Sequence, residues 1–161
     1  MKRLWAPWRM KFVQSQDPKT TCIFCKVLEQ TDDADNLLVS RGLKAFVILN
    51  RYPYTSGHLM VVANNHKPTL EDLEAGTRAE MMELATKGMQ VLRKNYRAEA
   101  FNFGANIGEP AGAGIAGHVH LHIVPRWSGD TNFMSALAET RVLPEALEET
   151  YRRIQAAWNE T

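Results

Sequence analysis

The run Gly117-His118-Val119-His120-Leu121-His122-Ile123-Val124-Pro125-Arg126 constrains this chain more than any other segment. One residue type alternating strictly with apolar neighbours marks a strand with two unlike faces, because successive side chains point to opposite sides of a sheet. A strand from Gly117 to Val124 is therefore expected, with Val119, Leu121 and Ile123 in a core. The three imidazoles then line the other face, roughly 6.5 to 7 Å apart. Each ring titrates near neutral pH, so this alignment suits chemistry better than packing. Only five histidines are present in 161 residues, and chance is a poor account of three on one face. A metal site stays open at this point, since His-x-His on a strand can offer two imidazoles to one ion.

Lys and Arg together number 19 and Asp and Glu 18, which leaves no overall field for neutralising a nucleic-acid backbone. No nucleic-acid partner is expected, and a small anion needs a local site. No apolar run approaches the roughly 20 residues of a membrane helix. Met1-Lys2-Arg3-Leu4-Trp5-Ala6-Pro7-Trp8 is interrupted by Pro7, and then by Arg9, before any signal-peptide core forms, so no membrane partner and a cytoplasmic address are expected. The length fits a single domain, residues 21–161, after an arm, residues 1–20, whose Trp5, Trp8 and Phe12 are expected to lie against the domain or a partner subunit. Cys22 and Cys25, the only cysteines, fit a reducing compartment as a metal or redox pair better than as a structural disulfide.

Along the chain, a short helical stretch follows Cys25, and Thr31 to Asn36 reads as a turn. Strands are expected at Leu37 to Ser40, Leu43 to Leu49, His58 to Ala63 and Ala100 to Asn106. A long helix is expected from Thr69, paired with Asp72, to about Asn95, with Met81, Leu84, Ala85, Met89 and Leu92 on its inner face. Pro144 opens a last helix, Glu145 to about Trp158, burying Leu147, Tyr151 and Ile154. His58 reads as a strand residue at a turn, without a catalytic role. Strands joined by tight turns, with two long helices on one side, give an α+β class: an antiparallel sheet of about five strands.

With the histidine strand placed after the glycine-rich stretch from Ile107 to Ala116, the chain resembles the histidine triad (HIT) superfamily. His118 to Val124 meets its His-φ-His-φ-His-φ-φ pattern, where φ is apolar. Cys22-Ile23-Phe24-Cys25, Leu49-Asn50-Arg51-Tyr52-Pro53, Ser56-Gly57-His58 and Asn106-Ile107-Gly108 also have counterparts there. Leu4-Trp5-Ala6-Pro7-Trp8-Arg9, Pro125-Arg126-Trp127 and Gly129-Asp130-Thr131-Asn132-Phe133-Met134 resemble the branch of bacterial diadenosine tetraphosphate phosphorylases and fragile histidine triad proteins.

This resemblance implies a homodimer with a HIT-like sheet continuous across it. It also implies nucleotidyl transfer or hydrolysis at the α-phosphate of dinucleoside polyphosphates, diadenosine tri- or tetraphosphate, by phosphorolysis or hydrolysis. The alternatives are a nucleoside phosphoramidase and a nucleotide-binding signalling module with negligible turnover. By position His120 is the nucleophile, with His118 and His122 completing the catalytic set. A neutral imidazole is a good attacking group and, once phosphorylated, a good leaving group. The amides of Gly112, Ala113, Gly114 and Ile115, with the His122 ring, are expected on the phosphate. Asn106 and Arg126 are further anion donors. Asn50 matches the ribose-binding position, and Ile48 with Phe24 the base sandwich. In one departure, Ala113-Gly114-Ile115-Ala116-Gly117 has no side-chain donor where many relatives carry Gln, Ser or Thr, so leaving-group assistance falls to backbone, Asn106 or water. The resemblance completes the half-site Cys22-x-x-Cys25 with His66 and His118 as a structural zinc site, the chemical step itself needing no cofactor. Inorganic phosphate is a further expected partner.

Overall fold

The computed structural model describes residues 22–130 and 145–161. The arm, Pro144 and the Thr131-Asn132-Phe133-Met134 part of the motif lie outside the described residues.

Five strands form one antiparallel sheet: β1 (Leu38–Arg41), β2 (Ala45–Leu49), β3 (Leu59–Ala63), β4 (Ala100–Gly104) and β5 (His120–Arg126), in the order β1-β2-β3-β5-β4. Every residue of β2 and β3 is buried, because the sheet is covered on both faces. The two-residue period divides their side chains between two cores. Ala45, Val47, Leu49, Leu59, Val61 and Ala63 join Val119, Leu121 and Ile123 under α2 (Ala75–Tyr96) and α3 (Leu147–Asn159). Phe46, Ile48, Met60 and Val62 face the other way, against Phe24, Val27 and Leu28 of the short helix α1 (Ile23–Glu29). The α+β class is as expected, but α1 sits on the opposite face from the long helices. It thereby walls the side on which His120 and His122 lie. Gly88 gives α2 its close seat: a Cβ there would stand 3.2 Å from Ile123 Cδ1.

The long helix begins at Ala75 rather than Thr69. Thr69 Oγ1 bonds the Asp72 carboxylate at 2.9 Å instead of an amide, and Leu73 N–H closes a turn on Leu70 O. Leu70 and Leu73 pack on the core, so apolar spacing continued past the true helix boundary. At the other end Arg97 caps the helix in the left-handed conformation, φ +50°. The histidine strand also starts late. Its ladder opens at His120, because the Val119 amide is taken by Lys67 O at 2.7 Å, outside the sheet. His118 therefore lies at a bend before the ladder rather than within it.

Candidate active site and metal centre

His120 is 5% exposed, and its Nδ1 lies 2.8 Å from the His118 carbonyl oxygen. A carbonyl only accepts, so Nδ1 carries the hydrogen and Nε2 keeps its lone pair. Burial holds the pKa of this ring below the ordinary histidine value, with the carbonyl bond opposing. The ring is thus neutral and nucleophilic at Nε2. The His122 ring stands 4.9 Å away, edge to face, and Phe24 packs at 5.1 Å.

The neighbouring tautomer follows from a second chain of bonds. His58 Nδ1 lies 3.1 Å from the Tyr54 amide and 3.3 Å from Asn50 Nδ2. A peptide N–H only donates, so His58 bears its hydrogen on Nε2 and gives it to His122 Nδ1 at 2.9 Å. His122 accordingly presents Nε2–H. A lone pair on one ring and a donor on the next is what attack at a phosphorus centre requires. His58, expected as a strand residue at a turn without a catalytic role, is fully buried and positions His122. Its sequence signal is a polar residue heading the wholly apolar run Leu59–Ala63, where a buried polar group needs a partner. Gly57 makes this placement possible, with φ +81° and a would-be Cβ only 2.9 Å from Leu92 Cδ2. Tyr54 covers the pair, 4.8 Å from His58 and 6.4 Å from His122 between ring centroids.

The glycine-rich loop is less open than expected. Glu109–Ala111 form a single 3-10 turn, which takes the Gly112 amide to Glu109 O and the Ala113 amide to Gly108 O. These two amides are thus withdrawn from anion binding. Those of Gly114 and Ile115 meet no acceptor among the described residues. Asn106 reaches back to Gly112 O at 3.4 Å and braces the loop. Arg126 is not an anion donor beside His120. It pairs with Asp130 through Nε and Nη2 at 2.6 and 2.7 Å and with Asn102 through Nη1 at 2.8 Å. It also stands at the far end of β5, about 20 Å along the strand.

His118 turns away from the other two rings. Its Nδ1 lies 3.4 Å from Cys22 Sγ and 3.7 Å from Cys25 Sγ, and Cys25 Sγ lies 3.3 Å from His66 Nδ1. All four donor atoms fall within 4.8 Å of one another. Tetrahedral zinc, with bonds of about 2.3 Å to sulfur and about 2.0 Å to nitrogen, separates S from N by about 3.5 Å. The residues fit that ion. His118 Nε2–H donates to Ala63 O at 2.8 Å, leaving Nδ1 as the ligand atom. Burial, then the adjacent Cys22, pushes the Cys25 thiol up, an opposition that a cation between two thiolates removes.

The HIT domain family matches residues 31–129, more than half of the chain. The chain belongs to the HIT domain family. This HIT protein is 36% identical over 165 aligned positions to the AP-4-A phosphorylase of Mycobacterium tuberculosis, covering 98% of the chain and 85% of that relative. It is 29% identical to a HIT-like protein of Saccharolobus solfataricus, over 87% of the chain and 96% of the relative. Among solved structures, a zinc-bound histidine triad family protein from Mycobacterium smegmatis matches with a TM-score of 0.71 and 29% identity, over 87% of this chain and 94% of that one.

In this HIT protein the remaining expected site residues have visible structural duties. Phe24 is 1% and Ile48 6% exposed, both within the apolar cluster beneath α1, against which Ile115 of the loop also packs. Asn50 accepts from the Tyr52 amide at 2.9 Å through Oδ1, while Nδ2 faces His58. Gly104 pairs with His122 across the sheet, and a Cβ there would meet nothing within 4 Å, which leaves space beside that ring.

Proposed function

We propose that this HIT protein cleaves dinucleoside polyphosphates at the α-phosphate, diadenosine tetraphosphate foremost, and passes the nucleotidyl group through His120 to orthophosphate. The observation that carries this reading is the tautomer pair: a lone pair on His120 Nε2 beside a hydrogen on His122 Nε2. The likeness to an AP-4-A phosphorylase over nearly the whole chain supports the substrate class.

The His120 lone pair attacks the α-phosphorus. An N–P bond forms as the bridging P–O bond breaks, and its electrons leave on ATP. A phosphate oxygen then attacks the same phosphorus, the N–P electrons return to Nε2, and ADP departs. Charge on the nonbridging oxygens is met by His122 Nε2–H and by the Gly114 and Ile115 amides, donors held in place before the reaction. Asn106 takes the leaving phosphate end. Asn50 serves the ribose, and Phe24 with Ile48 forms the wall for the base. Cys22, Cys25, His66 and His118 hold a zinc ion, whose contribution when bound is to stabilise the fold. The working unit is a homodimer whose sheet continues beyond β4, acting in the cytoplasm; among the described residues no helix is long and apolar enough to cross a membrane.

Product analysis tests the reading. Diadenosine tetraphosphate with millimolar phosphate should give ADP and ATP in equal amounts, whereas water as acceptor gives AMP and ATP. AMP as the sole small product at millimolar phosphate would reject phosphorolysis, and no cleavage of any dinucleoside polyphosphate would reject the whole reading.

A further inference from the structure

The peptide unit joining His118 to Val119 is held from both sides. Its carbonyl accepts from His120 Nδ1 at 2.8 Å, and its N–H donates to Lys67 O at 2.7 Å. This unit precedes the β5 ladder, so sheet pairing does not fix it. Its anchors belong to the metal cluster instead. The ring of His118 lies among the thiols and on Ala63 O, and Lys67 directly follows His66.

We propose that Cys22, Cys25 and His66 are positioning residues for nucleotidyl transfer. With zinc between them and His118, they immobilise the 118–119 peptide from both ends, and its carbonyl selects the Nδ1–H tautomer and the ring plane of His120. The metal centre then governs the nucleophile without approaching substrate. The effect on rate rests on the function proposed above; the effect on the His120 tautomer does not.

The metal centre and the nucleophile are coupled by restraint. Among the described residues, one hydrogen bond distinguishes the two nitrogens of His120, and that bond is only as directional as the carbonyl is fixed. The neighbouring His118 amide offers a weak hold, 3.4 Å to Ile115 O. Releasing one ligand lets the peptide rotate, so Nε2 bears the hydrogen part of the time and cannot attack. Asn50, Ile48 and the Gly114 amide stand on other segments, so nucleotide binding should survive.

The test compares wild type, His66→Ala and His66→Cys, each supplied with zinc and each after dialysis against a chelator. His66 is the ligand to change because it lies outside α1 and leaves Phe24 in place. Zinc content, AMP affinity, single-turnover formation of adenylyl-His120 and ring-15N signals of His120 are measured. Dialysed wild type and dialysed His66→Ala should form adenylyl-His120 ~30-fold more slowly, the scale of losing second-sphere support. Their AMP Kd should change by less than about threefold, since ground-state binding is untouched. His120 should pass from Nδ1–H to mixed tautomers, and His66→Cys, with four ligands again, should recover zinc, tautomer and rate together.

A metal-free protein that keeps both the Nδ1–H signal and the rate would overturn the proposal. Loss of AMP binding and secondary structure together with zinc would also overturn it, assigning the cluster to folding alone. If wild type never forms adenylyl-His120, the proposed function fails, while the 15N comparison still decides the positioning role.

Discussion

Deleting the His58 ring separates the part that sets a tautomer from the part that attacks phosphorus. His58→Ala removes the donor that faces His122 Nδ1 at 2.9 Å and the acceptor of the Tyr54 amide at 3.1 Å. A neutral hydrogen bond contributes about 0.5–1.5 kcal/mol net, so removing the bias on His122 should slow formation of adenylyl-His120 by about twofold to tenfold. The stability cost is larger. The side chain is 0% exposed, and a buried ring truncated to alanine leaves a cavity as well as an orphaned amide, about 2–4 kcal/mol together. Urea unfolding and single-turnover labelling, performed well below the variant's Tm, read the two effects independently. The substrate Kd should hold. A folded His58→Ala protein with wild-type rate and an unchanged Nε2–H signal for His122 would refute the tautomer argument. So would a loss as complete as removal of the nucleophile, which would make His58 itself a reacting group.

Three further outcomes are expected. His120→Asn should still bind AMP but lose at least about three orders of magnitude in turnover, because the covalent path is removed while the nucleotide contacts remain; near-full activity, followed by product release, would reject the nucleophile. Arg97→Gly should stabilise the fold by up to about 1 kcal/mol in urea unfolding, since Arg97 closes α2 at φ +50°, where glycine avoids the Cβ penalty; a destabilised variant would mean that the arginine side chain matters more than its backbone. Asp130 is held below its ordinary carboxylate value first by Arg126's hydrogen bonds, which outweigh the opposing desolvation with help from the Trp127 amide. A depressed folded pKa gives stability that is present above the unfolded value of about 3.9 and lost as pH falls through the folded one, so the deficit of Asp130→Asn relative to wild type should shrink progressively below about pH 4. A deficit independent of pH would deny the ion pair that role.

The two-faced strand was readable from sequence because a period of two assigns faces without knowledge of partners. Val119, Leu121 and Ile123 enter one core as the alternation requires. Alternation does not reveal where a ladder begins, however: His118 keeps the alternating sequence but sits at a bend, and its neighbour's amide bonds Lys67. The metal cluster is a tertiary fact. Cys22 and Cys25 supply a half-site, but His66 lies 41 residues from Cys25 and was placed only through family likeness. The place of His58 is not legible in the sequence, because a residue heading an all-buried strand carries no alternation to give its face. The spent amides of Gly112 and Ala113 depend on the turn over Glu109–Ala111, for which the proline at Pro110 was an available signal. Arg126 and Asp130 stand four apart in sequence, yet their pairing depends on the bend after β5 rather than on a helix.

The hydrogen-bond chain behind His122 ends on a peptide. Tyr54 N–H cannot release its proton, so His58 can surrender the Nε2 hydrogen only by becoming an imidazolate, a species too basic to form in a buried site. That row of rings is thus a strut that polarises without conducting. By the same reasoning neutral His122 keeps its Nε2 hydrogen and serves as a fixed donor, so a proton taken up by a departing oxygen comes from solvent, for which Gly104 leaves room beside the ring. Larger side chains at Gly104 would then crowd the solvent beside His122 while leaving intact the tautomer that the strut sets.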